Sequence, residues 1–89
     1  MKVIATELKK GDIIKKDGYT WEIITNPKDV DFEIYKSSKQ VWVHVKPISY
    51  NSTSSFVSQW RKDEINEAIK TKPWTELKMF RKTTMIKTF

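Results

Sequence analysis

Four side chains along one stretch of the chain, Tyr35, Trp42, His44 and Lys46, could share one face of a strand pair and bind a ligand by stacking. Aromatic rings beside positive charge form platforms for nucleic-acid bases, each stack being worth about 1–3 kcal/mol. A second group lies further on, where Lys78, Arg81, Lys82 and Lys87 are interleaved with Phe80 and the pair Thr83-Thr84. Such spacing suits contact with a phosphate backbone. Arg61 adds a cation between the two groups. Each has a plainer alternative. The aromatic row could be a second packing face, covered by a helix or by the C-terminal segment. The basic tail could be the solvated side of a terminal strand.

Catalytic chemistry finds less support. His44 is the single histidine and there is no cysteine. Thiol catalysis, zinc-thiolate sites and disulfide staples are therefore excluded. A lone strand histidine beside Trp42 reads as a packing residue, without the base-and-orienter arrangement that a nucleophile needs. Asp29, Asp31 and Glu33 recur at every second position. That spacing gives an open row of carboxylates, not a cage of six or more oxygens for a hard cation. The two glycines, Gly11 and Gly18, both fall in the first hairpin, so no glycine-rich loop is left to cradle a phosphate. The expectation is a non-enzymatic protein with no cofactor and no metal.

Charge bears on the partner. The net charge is +6, and residues 50–89 carry eight of the seventeen cations but only four of the eleven acids. A basic surface attracts polyanions. The leading expectation is a module that binds RNA, single-stranded DNA or a nucleoprotein machine. Tyr35, Trp42 and His44 would stack, and Lys46, Arg61, Lys78, Arg81 and Lys82 would meet phosphates. The rival is a small protein-interaction or inhibitor module, of the phage or mobile-element type, that acts on a host protein. "MKVIATELKK" lacks the apolar core of a secretion signal, and no run is long enough to cross a bilayer. A cytoplasmic location without membrane attachment is expected.

The elements that must position these residues follow from pattern. The 89 residues suit one small domain, 1–89, and eleven aromatics promise a large buried area for its size. Asp17-Gly18 is a two-residue hairpin signal, since a type I′ turn needs positive φ at both central positions. Pairing across it sets Ile14 against Trp21 and Ile13 against Glu22. Gly11-Asp12 reads as another turn, and Pro27 in "TNPKD" ends the second strand because proline cannot donate to a ladder. "DVDFEIYK" and "QVWVHVKPI" alternate with period two. A turn at Ser38-Lys39 would set Ile34 against Val43 and Tyr35 against Trp42, with Val30, Phe32, Ile34, Val41, Val43 and Val45 inside. "NSTSS" reads as a loop. "FVSQW" fits either a strand or the start of a helix. A helix is expected from Asp63, as its N-cap, to about Thr71, stopped by Pro73, with Ile65, Ala68 and Ile69 as its buried stripe. In the remainder, Trp74, Leu77 and Phe80 fit a helical turn, whereas Met85, Lys87 and Phe89 alternate like a strand.

"KKGDIIKKDGYTWEII", residues 9–24, resembles the first hairpin of the KOW-like N-terminal domain of elongation factor P, and more broadly the opening of small SH3-like barrels. Gly11, Ile14, Asp17-Gly18, Trp21-Glu22 and Ile23-Ile24 carry the likeness. It implies an α+β, β-rich fold: an SH3-like barrel, or a bent antiparallel sheet with one short helix near residues 63–71. Relatives of that barrel bind RNA, DNA or protein. The family works at the ribosome through a lysine-bearing, glycine-rich tip. Here the corresponding stretch reads "NPKDVD", without glycine, so none of the family's functional residues carries over.

Overall fold

A computed structural model describes residues 1–51 and 58–89. The elements are β1 (Lys2–Ile4), a 3-10 turn (Ala5–Glu7), β2 (Ile13–Lys16), β3 (Tyr19–Ile23), β4 (Lys28–Phe32), β5 (Tyr35–Tyr50), α1 (Gln59–Thr71), β6 (Glu76–Arg81) and β7 (Met85–Lys87). The fold is β-rich and antiparallel, with one short helix. Among the described residues no helix is long and apolar enough to cross a membrane.

The first hairpin forms as its sequence requires. Asp17 and Gly18 have φ of 56° and 83°, and Ile14 pairs with Trp21 and Ile13 with Glu22. Aspartate tolerates the left-handed region, but a β-branched residue does not. Gly18→Val is therefore expected to cost about 1 kcal/mol or more. An unchanged denaturation midpoint would contradict this.

The sixteen-residue strand β5 is the spine. β3 pairs with its C-terminal half, β4 with its N-terminal half on the same edge, and β6 with residues 40–45 on the other edge. Val41, Val43 and Val45 point inward and are buried with Ile14, Trp21, Ile23, Phe80 and Ile86. β7 pairs with β1, and Thr88, just after it, bridges to Ile14 of β2.

The sheet is not closed into a barrel, which corrects the SH3-like barrel expectation and leaves the bent antiparallel sheet. Side chains take the place of a ladder between β2 and β6. The Lys16 ammonium lies 5.5 Å from the Phe80 ring centre. Beside it is a cavity of about 170 Å³ walled by Ile14, Phe80 and Ile86.

Three further expectations need correction. The β4–β5 turn is at Glu33-Ile34, not Ser38-Lys39: Phe32 pairs with Tyr35, and Val30 with Ser37. Asp29 then pairs with Val41, so Ser38, Lys39 and Gln40 are extra residues on β5. The polar run that resembles a turn is used as a bulge. Val30 is buried, but outside the cluster that holds Val41, Val43 and Val45; with Phe32 it shares the strand face of Lys28, which pairs with Trp42, and Ile34, at the turn, is 96% exposed. The valines still face inward because β3 and β6 fix their side of the sheet.

The helix begins one turn early. Ser58 is its N-cap, accepting from the Arg61 N–H at 3.3 Å. Asp63 lies inside the helix and accepts from the Gln59 amide. The serine hydroxyl reaches the free N–H groups first, so the turn before Asp63 is helical rather than loop. "NSTSS" and the start of "FVSQW" fall almost wholly outside the described residues. Lastly, residues 76–81 form a strand, not a helical turn, because pairing with β5 buries Phe80 and overrides the local 3.6 spacing.

One side chain ties the helix to the sheet. The Asn66 amide accepts from the Tyr50 N–H at 2.9 Å and donates to the Tyr50 carbonyl at 2.8 Å, as a neighbouring strand would. Asn66→Ala leaves both groups without partners. A loss of about 1–3 kcal/mol is expected by urea denaturation.

Candidate nucleic-acid interface

Residues directly opposite one another in an antiparallel pair share a face. Trp42 pairs with Lys28 on β4 and with Met79 on β6, while His44 pairs with Leu77, Gln40 with Arg81 and Lys46 with Glu22. These side chains lie on the side of the sheet opposite the buried valines. Trp42 and His44 meet edge to face with ring centres 5.1 Å apart, and the Phe32 ring lies 5.9 Å from Trp42. The Lys28 ammonium is 5.5 Å from the Trp42 ring centre. Trp42 and His44 are half-buried, and Leu77 and Met79 are 41% and 45% exposed. The backbone beneath the row is pinned from the edge: the Thr25 hydroxyl accepts from the His44 N–H at 3.0 Å, and Ile24 N–H donates to the His44 carbonyl at 2.9 Å.

Among the described residues no hydrogen bond, ion pair or ring contact runs from the helix to this row. The helix's bonds from Asn66 reach Tyr50, at the other end of β5. Around that end a second aromatic cluster lies on the inner side. Tyr19 stacks on Trp21 with ring centres 4.7 Å apart, contacts Tyr50 at 4.5 Å and meets the edge of Trp74 at 6.3 Å.

No match is found among models of known families, among curated proteins or among solved structures. Function must be argued from the chain's own geometry.

The structure does not bring the sequence-based site together in one place. Trp42, His44, Lys46 and Arg81 share the outward face. Tyr35, expected opposite Trp42, instead pairs with Phe32 near the hairpin turn, and its hydroxyl donates to Gln40 Oε1 at 2.7 Å. The displaced turn is the cause. Lys78 pairs with Val43 and so faces inward, where its ammonium lies 4.7 Å from the Trp21 ring centre and 3.4 Å from Glu76. Arg61 sits on the helix near Tyr19 and contacts Glu64 at 3.9 Å. Lys82 reaches Asp29 at 3.2 Å, and Asp31 is engaged by Lys36 at 3.4 Å. Among the described residues no group of three or more metal-ligating side chains is assembled.

Sequence reasoning missed Phe32, Lys28, Leu77 and Met79 as neighbours of Trp42. With the turn placed at Ser38-Lys39, Phe32 counts as core and Lys28 has no partner. The signal for β6 was its own alternation: Leu77, Met79 and Arg81 against Lys78 and Phe80.

The inner cluster has a pH signature. Burial pushes the Tyr19 hydroxyl above its ordinary pKa of 10.0, with Tyr50 and Glu76 adding to the rise and Arg61 opposing it. The folded state thus holds its proton more tightly than the unfolded chain. The resulting stabilisation is present below the unfolded value and is lost as pH rises through the folded one. Stability is expected to fall above about pH 10, and Tyr19→Phe should reduce that dependence in denaturation curves recorded across this range.

Proposed function

We propose that the protein binds single-stranded nucleic acid across the outward face of β4, β5 and β6. The carrying observation is the Phe32–Trp42–His44 cluster with Lys28, Lys46 and Arg81 around it. Aromatic rings give bases a sequence-tolerant surface, and the cations neutralise the backbone. Among the described residues Glu22 is the one acid paired directly opposite the row, and Lys46 already engages it at 3.5 Å. The chain's net +6 adds a favourable long-range field. RNA and single-stranded DNA are both within this reading.

Exposed Leu77 and Met79 beside the aromatics favour a second reading, a docking face for a protein. Salt separates the two. Three phosphates neutralised by Lys28, Lys46 and Arg81 imply that log affinity falls with log salt at a slope near −2, about 0.7 for each. A protein bound through the apolar neighbours would be far less sensitive. Titration of short oligothymidylate and oligoadenylate, read from the Trp42 indole resonance over a series of salt concentrations, tests the proposal. Absence of binding at high micromolar protein in low salt would leave the docking reading.

A further inference from the structure

At one end of the outward face, the β5 bulge and the turn after β6 enclose a pocket of about 590 Å³. Three cations line it, Lys39, Arg81 and Lys82. Asp29 engages Lys82 at 3.2 Å; Lys39 and Arg81 make no ion pair among the described residues. Ser37, Ser38 and Thr83, each with a hydroxyl, complete the wall with Tyr35 and Gln40. Tyr35 donates to Gln40 Oε1, which leaves the Gln40 amide nitrogen as another donor there.

The two segments that supply these groups are held in place before any ligand arrives. Lys82 N–H donates to the Lys39 carbonyl at 2.9 Å, Thr84 N–H to the Arg81 carbonyl at 3.0 Å, and Ser37 Oγ accepts from Lys39 N–H at 3.3 Å. The bulge therefore has a use. It turns Ser38 and Lys39 out of the β4 ladder and sets them across from Arg81 and Lys82.

We propose that this pocket binds a phosphate group. A guanidinium fork matches two phosphate oxygens, and lysine adds point charge. Hydroxyl and amide donors can meet the remaining oxygens. A carboxylate, with two oxygens and one charge, would leave much of this donor set unused. The pocket adjoins the stacking row, because Gln40 and Arg81 form the cross-strand pair next to Trp42 and Met79. Residues two apart on a strand are about 6.6 Å apart, so a strand stacked on Trp42 can place a phosphate in the pocket. To that extent the inference rests on the nucleic-acid reading; the phosphate chemistry itself does not.

The test has two arms. In the first, inorganic phosphate is titrated into the isotope-labelled protein against sodium chloride of equal ionic strength. Saturable amide shifts confined to residues 37–40 and 81–83 are expected, and the Lys39→Gln, Arg81→Gln double variant should weaken them at least tenfold. Unchanged resonances of Val43 and Ile23 would confirm that the variant is folded; if it is not, each single variant is measured. Shifts matched by chloride, or spread over the lysines of β1 and β7, overturn the proposal. In the second arm, oligothymidylate is titrated into wild type and variant. A tenfold loss identifies a strand phosphate as the occupant. Phosphate binding with oligonucleotide affinity unaffected by the variant identifies a free phosphate instead. Phosphate binding without any oligonucleotide binding removes the function proposed above and leaves the pocket.

Discussion

Trp21→Ala is expected to lower the free energy of unfolding by about 3–5 kcal/mol. Trp21 is 1% exposed and is the largest of the fully buried side chains. Its ring faces three elements besides its own. It pairs across the ladder with Ile14 of β2 and Pro47 of β5, and carries the Lys78 ammonium of β6 4.7 Å from its centre. The indole N–H donates to the Lys16 carbonyl at 3.2 Å, which fastens the ring to the end of its own hairpin. Truncation therefore opens a cavity, frees a carbonyl and removes the surface on which a half-buried lysine rests. A domain of this size has about 5–15 kcal/mol in total, so much of its stability is at stake. Trp21→Phe keeps most of the volume and loses the hydrogen bond, for which about 1 kcal/mol is the expected part. Urea denaturation followed by circular dichroism separates the two variants. A loss below 1 kcal/mol for alanine would contradict the packing described.

The contrast between the two hairpins explains what the sequence made legible. Asp17-Gly18 combines a positive-φ requirement with alternation on both sides, and one register satisfies both. Glu33-Ile34 has no such requirement written into it, while Ser38-Lys39 has turn-like chemistry and is used as a bulge. The inward valines of β5 were still readable, because burial between β3 and β6 does not depend on where the next turn falls. The site inherited both results. Trp42, His44 and Lys46 follow from the parity of β5. Tyr35, Phe32 and Lys28 depend on the turn, and their places were lost with it. Lys78 and Arg81 lie three apart, an odd number, so a strand must put them on opposite faces. Reading the tail as one basic group concealed this; reading β6 as a strand separates them. Ser58 shows a related limit: two capping residues, Ser58 and Asp63, compete for one helix start, and the sequence between them suits either.

Trp42→Ala should separate folding from binding. Its aromatic contacts with Phe32 and His44 are each worth about 0.5–1.5 kcal/mol, so a loss near 1–2 kcal/mol is expected, well short of that at Trp21. The ring is half-buried and the valines beneath it keep their own packing. Affinity for a short oligonucleotide should fall by about 1–3 kcal/mol, the value of one base stack, or roughly five- to 150-fold. Trp42→Phe should recover part of this, since a smaller ring still stacks. Trp60→Ala is the control: Trp60 is 72% exposed at the start of the helix, outside the row. Its loss should leave binding unchanged. Stability is measured by urea denaturation and affinity by fluorescence anisotropy of a labelled oligonucleotide, so the tryptophan count does not confound either reading. If alanine at 42 costs 3–5 kcal/mol of stability, the ring is part of the core and the outward face loses its recognition role. If it leaves affinity intact while Arg81→Gln abolishes it, the strand is held by charge alone, and the contact centres on the pocket at the β5 bulge.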